Sequence, residues 1–258
     1  VDYFNFKPRD YIMIKDTLQD IVAHTHSLGI LPTVKVTGTP TSTSIESIAE
    51  DKSVILQAEV HKPVAEFEGV FGLPNLDKLN IHLKCPEYRE DGKIEVVREV
   101  RDGVEVPTSL HFENAAGDFS NDYRFMSTAV INEKIKNAIF NGAQWKISFE
   151  PTIASITRLK YQSTAHSQEP VLEISTKNNN LIVSFGDAST HAGSFIFHTV
   201  TATESLKYTW SWPVHQIIQI LGLAGTKTMN ISDVGAMQII VDSGIAVYKY
   251  ILPALSSK

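Results

Sequence analysis

The chain has 258 residues, 43% of them hydrophobic and 20% charged, with 14 Gly and 11 Pro. Those proportions describe a folded protein with room for one large domain or two of about 130 residues, and they exclude long disorder and collagen-like repeats. A net charge of −6 argues against a protein that coats nucleic acid by bulk electrostatics, though not against one that touches DNA on a small face, and a single cysteine, Cys85, excludes an intrachain disulfide or a cysteine-built zinc site.

No apolar run reaches the ~18 residues that a membrane span requires. Val1-Asp2-Tyr3-Phe4 lacks the charged-then-apolar pattern of a signal peptide. Numbering from Val1 reads as a start inside the gene product. The cysteine usage suits a reducing, intracellular setting.

Residues 10–28 place Tyr11, Ile14, Leu18, Ile21, Val22 and Leu28 at helical spacing. Pro8 suits the first turn and Gly29 the stop. Residues 33–37 and 53–61 are β-branched runs between turn-forming clusters and predict strands. A short helix over 74–83 would bury Leu76, Leu79 and Leu83. Residues 93–100 and 104–112 read as a hairpin around Asp102-Gly103, followed by a strand at 122–126.

The pattern then restarts. A strand at 145–149 leads through Pro151 into a helix ending near Ala165. Strands at 172–175 and 181–185 flank Asn178-Asn179-Asn180, and further strands fall at 194–200 and 208–210. A helix after Pro213 buries Val214, Ile217, Ile218 and Leu221 and stops at Gly222. Strands at 226–231, 236–241 and 245–251 close the chain, the last pair joined by Asp242-Ser243-Gly244.

The halves echo each other. Phe6-Lys7-Pro8 before the first helix resembles Phe149-Glu150-Pro151, and Leu73-Pro74 resembles Trp212-Pro213. A repeat of this length predicts two similar domains, 1–130 and 131–258, with a connector at about 127–143. Residues 133–139 within it have a helical pattern.

Catalytic chemistry finds little anchor. Asp187, Ser189 and His191 place an acid, a hydroxyl and an imidazole within one turn. Triads, however, are assembled from distant segments, and no Gly-x-Ser-x-Gly elbow is present. A polar hairpin turn accounts for them. His24 and His26 are two apart and do not share a helix face, so a solvated helix end is the reading preferred to a metal site. Asp16 and Asp20 read as surface charge, and Cys85 as a partly buried thiol. No phosphate-binding glycine motif occurs. The chain is therefore expected not to be an enzyme and to need no cofactor or metal.

The segment 230–248, Asn-Ile-Ser-Asp-Val-Gly-Ala-Met-Gln-Ile-Ile-Val-Asp-Ser-Gly-Ile-Ala-Val-Tyr, leads into Lys249-Tyr250-Ile251-Leu252-Pro253-Ala254. It resembles the C-terminal end of DNA polymerase sliding clamps, above all those of T-even-related bacteriophages and more distantly proliferating cell nuclear antigen. Gly186-Asp187-Ala188-Ser189-Thr190-His191-Ala192-Gly193-Ser194 and Trp210-Ser211-Trp212-Pro213 resemble the phage proteins too.

The resemblance implies an α+β fold of two similar clamp-type domains, with helices on one face of antiparallel sheets, assembling into a closed ring. It implies a homotrimer around duplex DNA in the cytoplasm (the host's, if viral), with the replicative DNA polymerase and a clamp loader as partners and no membrane. Processivity would come from topology. Arg9, Lys15, Lys78, Lys84, Arg158 and Lys160 would face DNA, beside the uncharged Tyr161, Gln162, His215, Gln216 and Gln219. Tyr250, Ile251, Pro253 and Ala254 match the stretch that forms a partner-peptide pocket. Edge strands would join subunits: Asp122, Tyr123, Arg124, Phe125 and Met126 in the first domain, and Ser194, Phe195, Ile196, Phe197 and His198 in the second. Two other readings remain open: a β-rich viral structural or assembly protein, and a hydrolase using Asp187, Ser189 and His191.

Overall fold

The computed structural model describes residues 8–257 except 90, 102, 137, 139, 188 and 190, with backbone alone for 8–13 and 256–257. The side chains of Arg9 and Tyr11, and Asp102 of the expected turn, lie outside the described residues. So do Phe6-Lys7, Ala188 and Thr190.

The first compact unit comprises residues 1–50, 56–138 and 244–247. Its opening helix α1 (Pro8–His24) runs on into a single 3-10 turn and stops at Gly29, whose φ of 68° is the left-handed conformation that glycine adopts without strain. Four strands follow: β1 (Val34–Gly38), β2 (Thr43–Ile48), β3 (Ile55–Val60) and β4 (Gly69–Leu73). Then come α2 (Leu76–Lys84) and a meander of β5 (Lys93–Arg101), β6 (Val104–Glu113) and β7 (Ser120–Arg124). A further helix, α3 (Thr128–Lys134), packs on β4.

The second unit comprises residues 51–55, 139–243 and 248–258. It contains β8 (Trp145–Phe149), α4 (Ile153–Ala165), β9 (Val171–Lys177), β10 (Asn180–Gly186), β11 (Ala192–Thr199) and β12 (Trp210–Pro213). Next come α5 (Val214–Leu221), β13 (Thr226–Ser232), β14 (Ala236–Asp242), β15 (Ala246–Pro253) and the short β16 (Ser256–Ser257).

The two units repeat one topology. Their four-strand segments have the spatial orders β4-β1-β2-β3 and β12-β9-β10-β11, so in each the fourth strand returns beside the first. That is the Greek-key order. In both units the first and fourth strands pair antiparallel. Each segment is followed by a helix and a three-strand meander, β5-β6-β7 or β13-β14-β15. The fold is thus built twice, as α+β with antiparallel sheets.

Alternation along the strands explains why one sheet face takes helices. In β1 and β2 every second residue is buried, as the two-residue period of a half-covered strand requires. Leu18 and Ile21 of α1 and Leu79 of α2 are fully buried, and α1 packs on α2 and β5. In the second unit Leu159 of α4 and Ile217 and Ile220 of α5 do the same work, with α4 on α5 and β11. Each such side chain contributes about 1.5–3 kcal/mol through burial. Trp212 is wholly enclosed, its Nε1 donating to the Leu252 carbonyl at 3.1 Å.

Local chemistry sets the boundaries. Thr152 caps α4, its Oγ1 accepting from the Ser155 N–H at 3.1 Å, and the Ser155 hydroxyl donates to the Phe197 carbonyl at 2.8 Å. Asn178 and Asn179, with φ of 51° and 60°, make the two-residue left-handed turn that joins β9 to β10.

The structure departs from the sequence reading at several elements. β2, β4 and β16 were not expected. β2 is written in polar letters, yet Thr43 and Ser47 are buried: the Ser47 hydroxyl donates to the Thr33 carbonyl at 2.6 Å and Thr43 Oγ1 accepts from the Val64 N–H at 2.9 Å. β4 contains two glycines, and a Cβ on Gly72 would come within 2.9 Å of Ile131 of α3. The connector helix lies earlier than 133–139, because Ile131 is the apolar anchor that β4 receives. Tyr208 precedes β12 instead of belonging to it. No helix among the described residues is long and apolar enough to cross a membrane.

Candidate functional site

Three surfaces collect the residues singled out from the sequence. The first is the helix pair of the first unit. Lys78 and Lys84 are exposed on α2, while Lys15 is half-buried and its Nζ donates to the Tyr88 carbonyl at 2.9 Å. That bond draws Lys15 back against its own unit. Between the helices is a cleft of about 520 Å³ whose lining includes Gln19, His26, Ser27, Asn80 and Lys84.

His26 Nε2 lies 3.6 Å from Asp77 Oδ1. His24 is not at a solvated end: it is buried, with Nδ1 2.9 Å from the Asp20 carbonyl and 3.2 Å from the Asp20 carboxylate. Asp20 is likewise mostly covered, so of the two aspartates expected on the surface only Asp16 is exposed. Burial, and secondarily the charge of Lys78, holds the His82 imidazole below its ordinary value, and its ring stacks on Phe112 at 5.2 Å.

The helix pair of the second unit has another character. Arg158, Lys160, Tyr161 and His215 are exposed, and Gln162, Gln216 and Gln219 are half-buried. Lys160 Nζ stands 4.0 Å from the point where a Cβ on Gly222 would lie, at the C-terminal end of α5. It is near enough to Lys227 that its charge, after burial, lowers the Lys227 pKa. Lys227 Nζ itself donates to the Gly225 carbonyl at 2.8 Å.

The second surface surrounds the C-terminal segment. Tyr250 and Ile251 are 0% and 2% exposed, so their side chains belong to the core under β15. Pro253 is exposed and Ala254 half-buried. Ala254 N–H donates to the Gly235 carbonyl at 2.7 Å and Leu255 N–H to the Ser211 carbonyl at 2.8 Å. These bonds place the segment beside Val234 (74% exposed), Leu255 (57%) and Tyr208, whose ring meets Trp210 edge-on at 5.9 Å. Trp210 closes on Gly235 and its Nε1 is buried without an acceptor among the described residues. Sequence reasoning missed Tyr208, Trp210, Val234 and Leu255. Val234 offered a signal, being an apolar residue inside the turn between β13 and β14.

The third set is two strand edges. β7 is one of the two outer strands of β5-β6-β7, and β11 one of the two of β11-β10-β9-β12-β16. On β7, Asp122 Oδ1 lies 2.9 Å from His111 Nδ1 and Arg124 is exposed. Tyr123 is buried, its hydroxyl donates to the Pro74 carbonyl, and burial raises its pKa. Phe125 and Met126 lie past the strand: Phe125 stacks on Phe71 at 4.3 Å, and Met126 exchanges backbone hydrogen bonds with Gly72. On β11, Ser194 and Ile196 are exposed, Phe195 and His198 half-buried and Phe197 buried, with His198 stacked on Phe149 at 4.3 Å. At the 186–191 turn, Asp187 Oδ1 accepts from the Ser189 N–H at 2.7 Å, and Asp187, Ser189 and His191 are exposed.

No protein-family model matches the chain, and no curated protein matches it in sequence. Solved structures do match, over nearly the whole length. The chain shares its fold with proliferating cell nuclear antigens: two similar domains with helices on antiparallel sheets. The A. fulgidus protein, determined with the C-terminal region of FEN-1 bound, is 11% identical, with 96% of this chain and 97% of that chain covered and a TM-score of 0.62. The Thermococcus kodakaraensis protein is 9% identical over 92% and 96%, also at 0.62. That of Entamoeba histolytica is 10% identical over 95% of each chain, at 0.58.

Proposed function

We propose that this protein is a DNA sliding clamp of the T-even-phage type, a homotrimeric ring that encircles duplex DNA and tethers a replicative polymerase. The observation that carries this reading is the likeness of fold over both domains at once, 96% of the chain against 97% of a clamp. Two strands at sheet ends, β7 and β11, each with an edge that pairs with no further strand among the described residues, support the ring. A head-to-tail contact joins two different surfaces, and pairing β7 of one subunit with β11 of the next would satisfy both ladders and close a cycle.

The clamp carries out no chemical step. A clamp loader would open the ring, and the polymerase would dock a short peptide on the apolar surface of Tyr208, Val234, Pro253 and Leu255, with Tyr250 and Ile251 supporting it from beneath. The work is done in the cytoplasm of the cell that replicates the DNA. Contacts to phosphate alone position a protein without reading sequence, which sliding requires.

The test is topological. Protein threaded onto a linear duplex through free ends, which are then blocked with bulky groups, is expected to stay bound through a high-salt wash. Cutting the duplex should release it. Equal loss before and after cutting would remove encirclement as the mechanism.

A further inference from the structure

The two helix pairs differ in charge far more than in architecture. α1 and α2 together carry four basic residues (Arg9, Lys15, Lys78, Lys84) and four carboxylates (Asp10, Asp16, Asp20, Asp77). α4 and α5 carry two basic residues, Arg158 and Lys160, and no carboxylate. Among the described residues of the first pair, Lys15 is spent on the Tyr88 carbonyl, and the exposed Lys78 and Lys84 are balanced by the exposed Asp16 and Asp77. In the second pair no ion pair to Arg158 or Lys160 is formed among the described residues, and Lys227 adds a third cation beside Lys160. Two ammonium groups near one another at a helix end repel, and a bound anion relieves that repulsion.

We infer that the phosphate-contacting surface of this protein is the α4–α5 face alone, built on Arg158 and Lys160 with Lys227 behind them, and that the α1–α2 face contributes no net attraction. The ligand is the sugar-phosphate backbone of duplex DNA, bound irrespective of sequence. This allocation rests on the clamp reading and sharpens it: of the six basic residues expected to meet DNA, the two on the second unit do the electrostatic work. Tyr161, 72% exposed one helical turn from Arg158, gives the same face an aromatic hydroxyl able to donate to a phosphate or sugar oxygen.

The experiment compares two double variants, Arg158→Ala/Lys160→Ala and Lys78→Ala/Lys84→Ala. All four side chains are exposed, so both variants keep the fold. Binding to a fluorescent duplex of about 30 base pairs is followed by anisotropy from about 20 to 200 mM salt, and log K is plotted against log salt. The first variant is expected to flatten the slope by about 1 to 2 and weaken low-salt binding roughly tenfold or more, while the second leaves both near the native values. Equal flattening by both variants, or flattening by the second alone, overturns the inference. So does a native protein with no duplex affinity at the lowest salt. If end-blocked retention survives in any of those cases, the encircling reading stands without this surface; if retention fails too, both fall.

Discussion

The helix pairs α1–α2 and α4–α5 occupy equivalent places in a repeated topology, and each buries its apolar stripe on its own sheets. Their charges have nonetheless diverged: the first pair of helices carries four basic residues and four carboxylates, and the second carries two basic residues and no carboxylate. Packing constrains one side of a helix and leaves the opposite side free, so a duplicated fold can keep its core while its surfaces take up separate tasks. The comparison separates what the fold demands from what a ligand would demand.

The largest expected effect concerns what the pairs share. Leu79→Ala in α2 and Leu159→Ala in α4 each remove a buried anchor and should cost about 2–5 kcal/mol, read as a fall in unfolding free energy by denaturant titration. Comparable losses support equivalent cores. A loss below about 1 kcal/mol at one site would show that its helix is held by other contacts.

Helix starts come next. Thr152 caps α4 with its side chain, whereas Asn75 opens α2 at φ 49° with no side-chain cap. Thr152→Ala should therefore cost about 1 kcal/mol, and Asn75→Gly should be close to neutral because glycine accepts that φ. Equal losses would contradict the assignment of the cap.

Asp16→Asn/Asp77→Asn removes two of the charges that balance the first face. Duplex affinity and the salt slope should both stay near the native values, because the phosphate-contacting surface is the α4–α5 face alone. A steeper slope would show that the α1–α2 face reaches phosphate as well.

The smallest stability effect is on pH. Burial, then the charge of Lys78, disfavours the charged form of His82 and lowers its pKa. Its lowered value means that its contribution is intact above about pH 6.5, the unfolded value, and is lost as pH falls through the folded one. Imidazole titration by NMR should find His82 below 6.5, and His82→Gln should flatten the acid side of the stability profile. A titration at or above 6.5 would contradict the burial account.

Elements with a clean period were legible from sequence. α1, α5 and the β5–β6 hairpin show their apolar spacing directly, and the Phe-x-Pro and Leu/Trp-Pro echoes announced the repeat. β2 was hidden because Thr43 and Ser47 are polar residues made buriable by backbone partners that lie 21 and 14 residues away, respectively. β4 was hidden because Gly72 is required by Ile131, a constraint that only tertiary packing creates.

The candidate site was legible by residue type but not by direction. Lys15 has the spacing of a surface lysine, yet the Tyr88 carbonyl, 73 residues on, captures it. Tyr250 and Ile251 lie in the stretch that pointed to a partner surface, but β15 is covered on both faces at 250–252, which buries these neighbours and leaves exposure to Pro253 and to residues from other segments. The edge positions of β7 and β11 follow from strand order, which no local pattern encodes.

The central claim is a closed ring of three chains, and light scattering on the eluting peak over a range of concentrations tests it most directly. The account predicts a mass of about 86 kDa, three times the 28.6 kDa chain, holding as concentration rises. A constant 28.6 kDa at the highest concentration would contradict it.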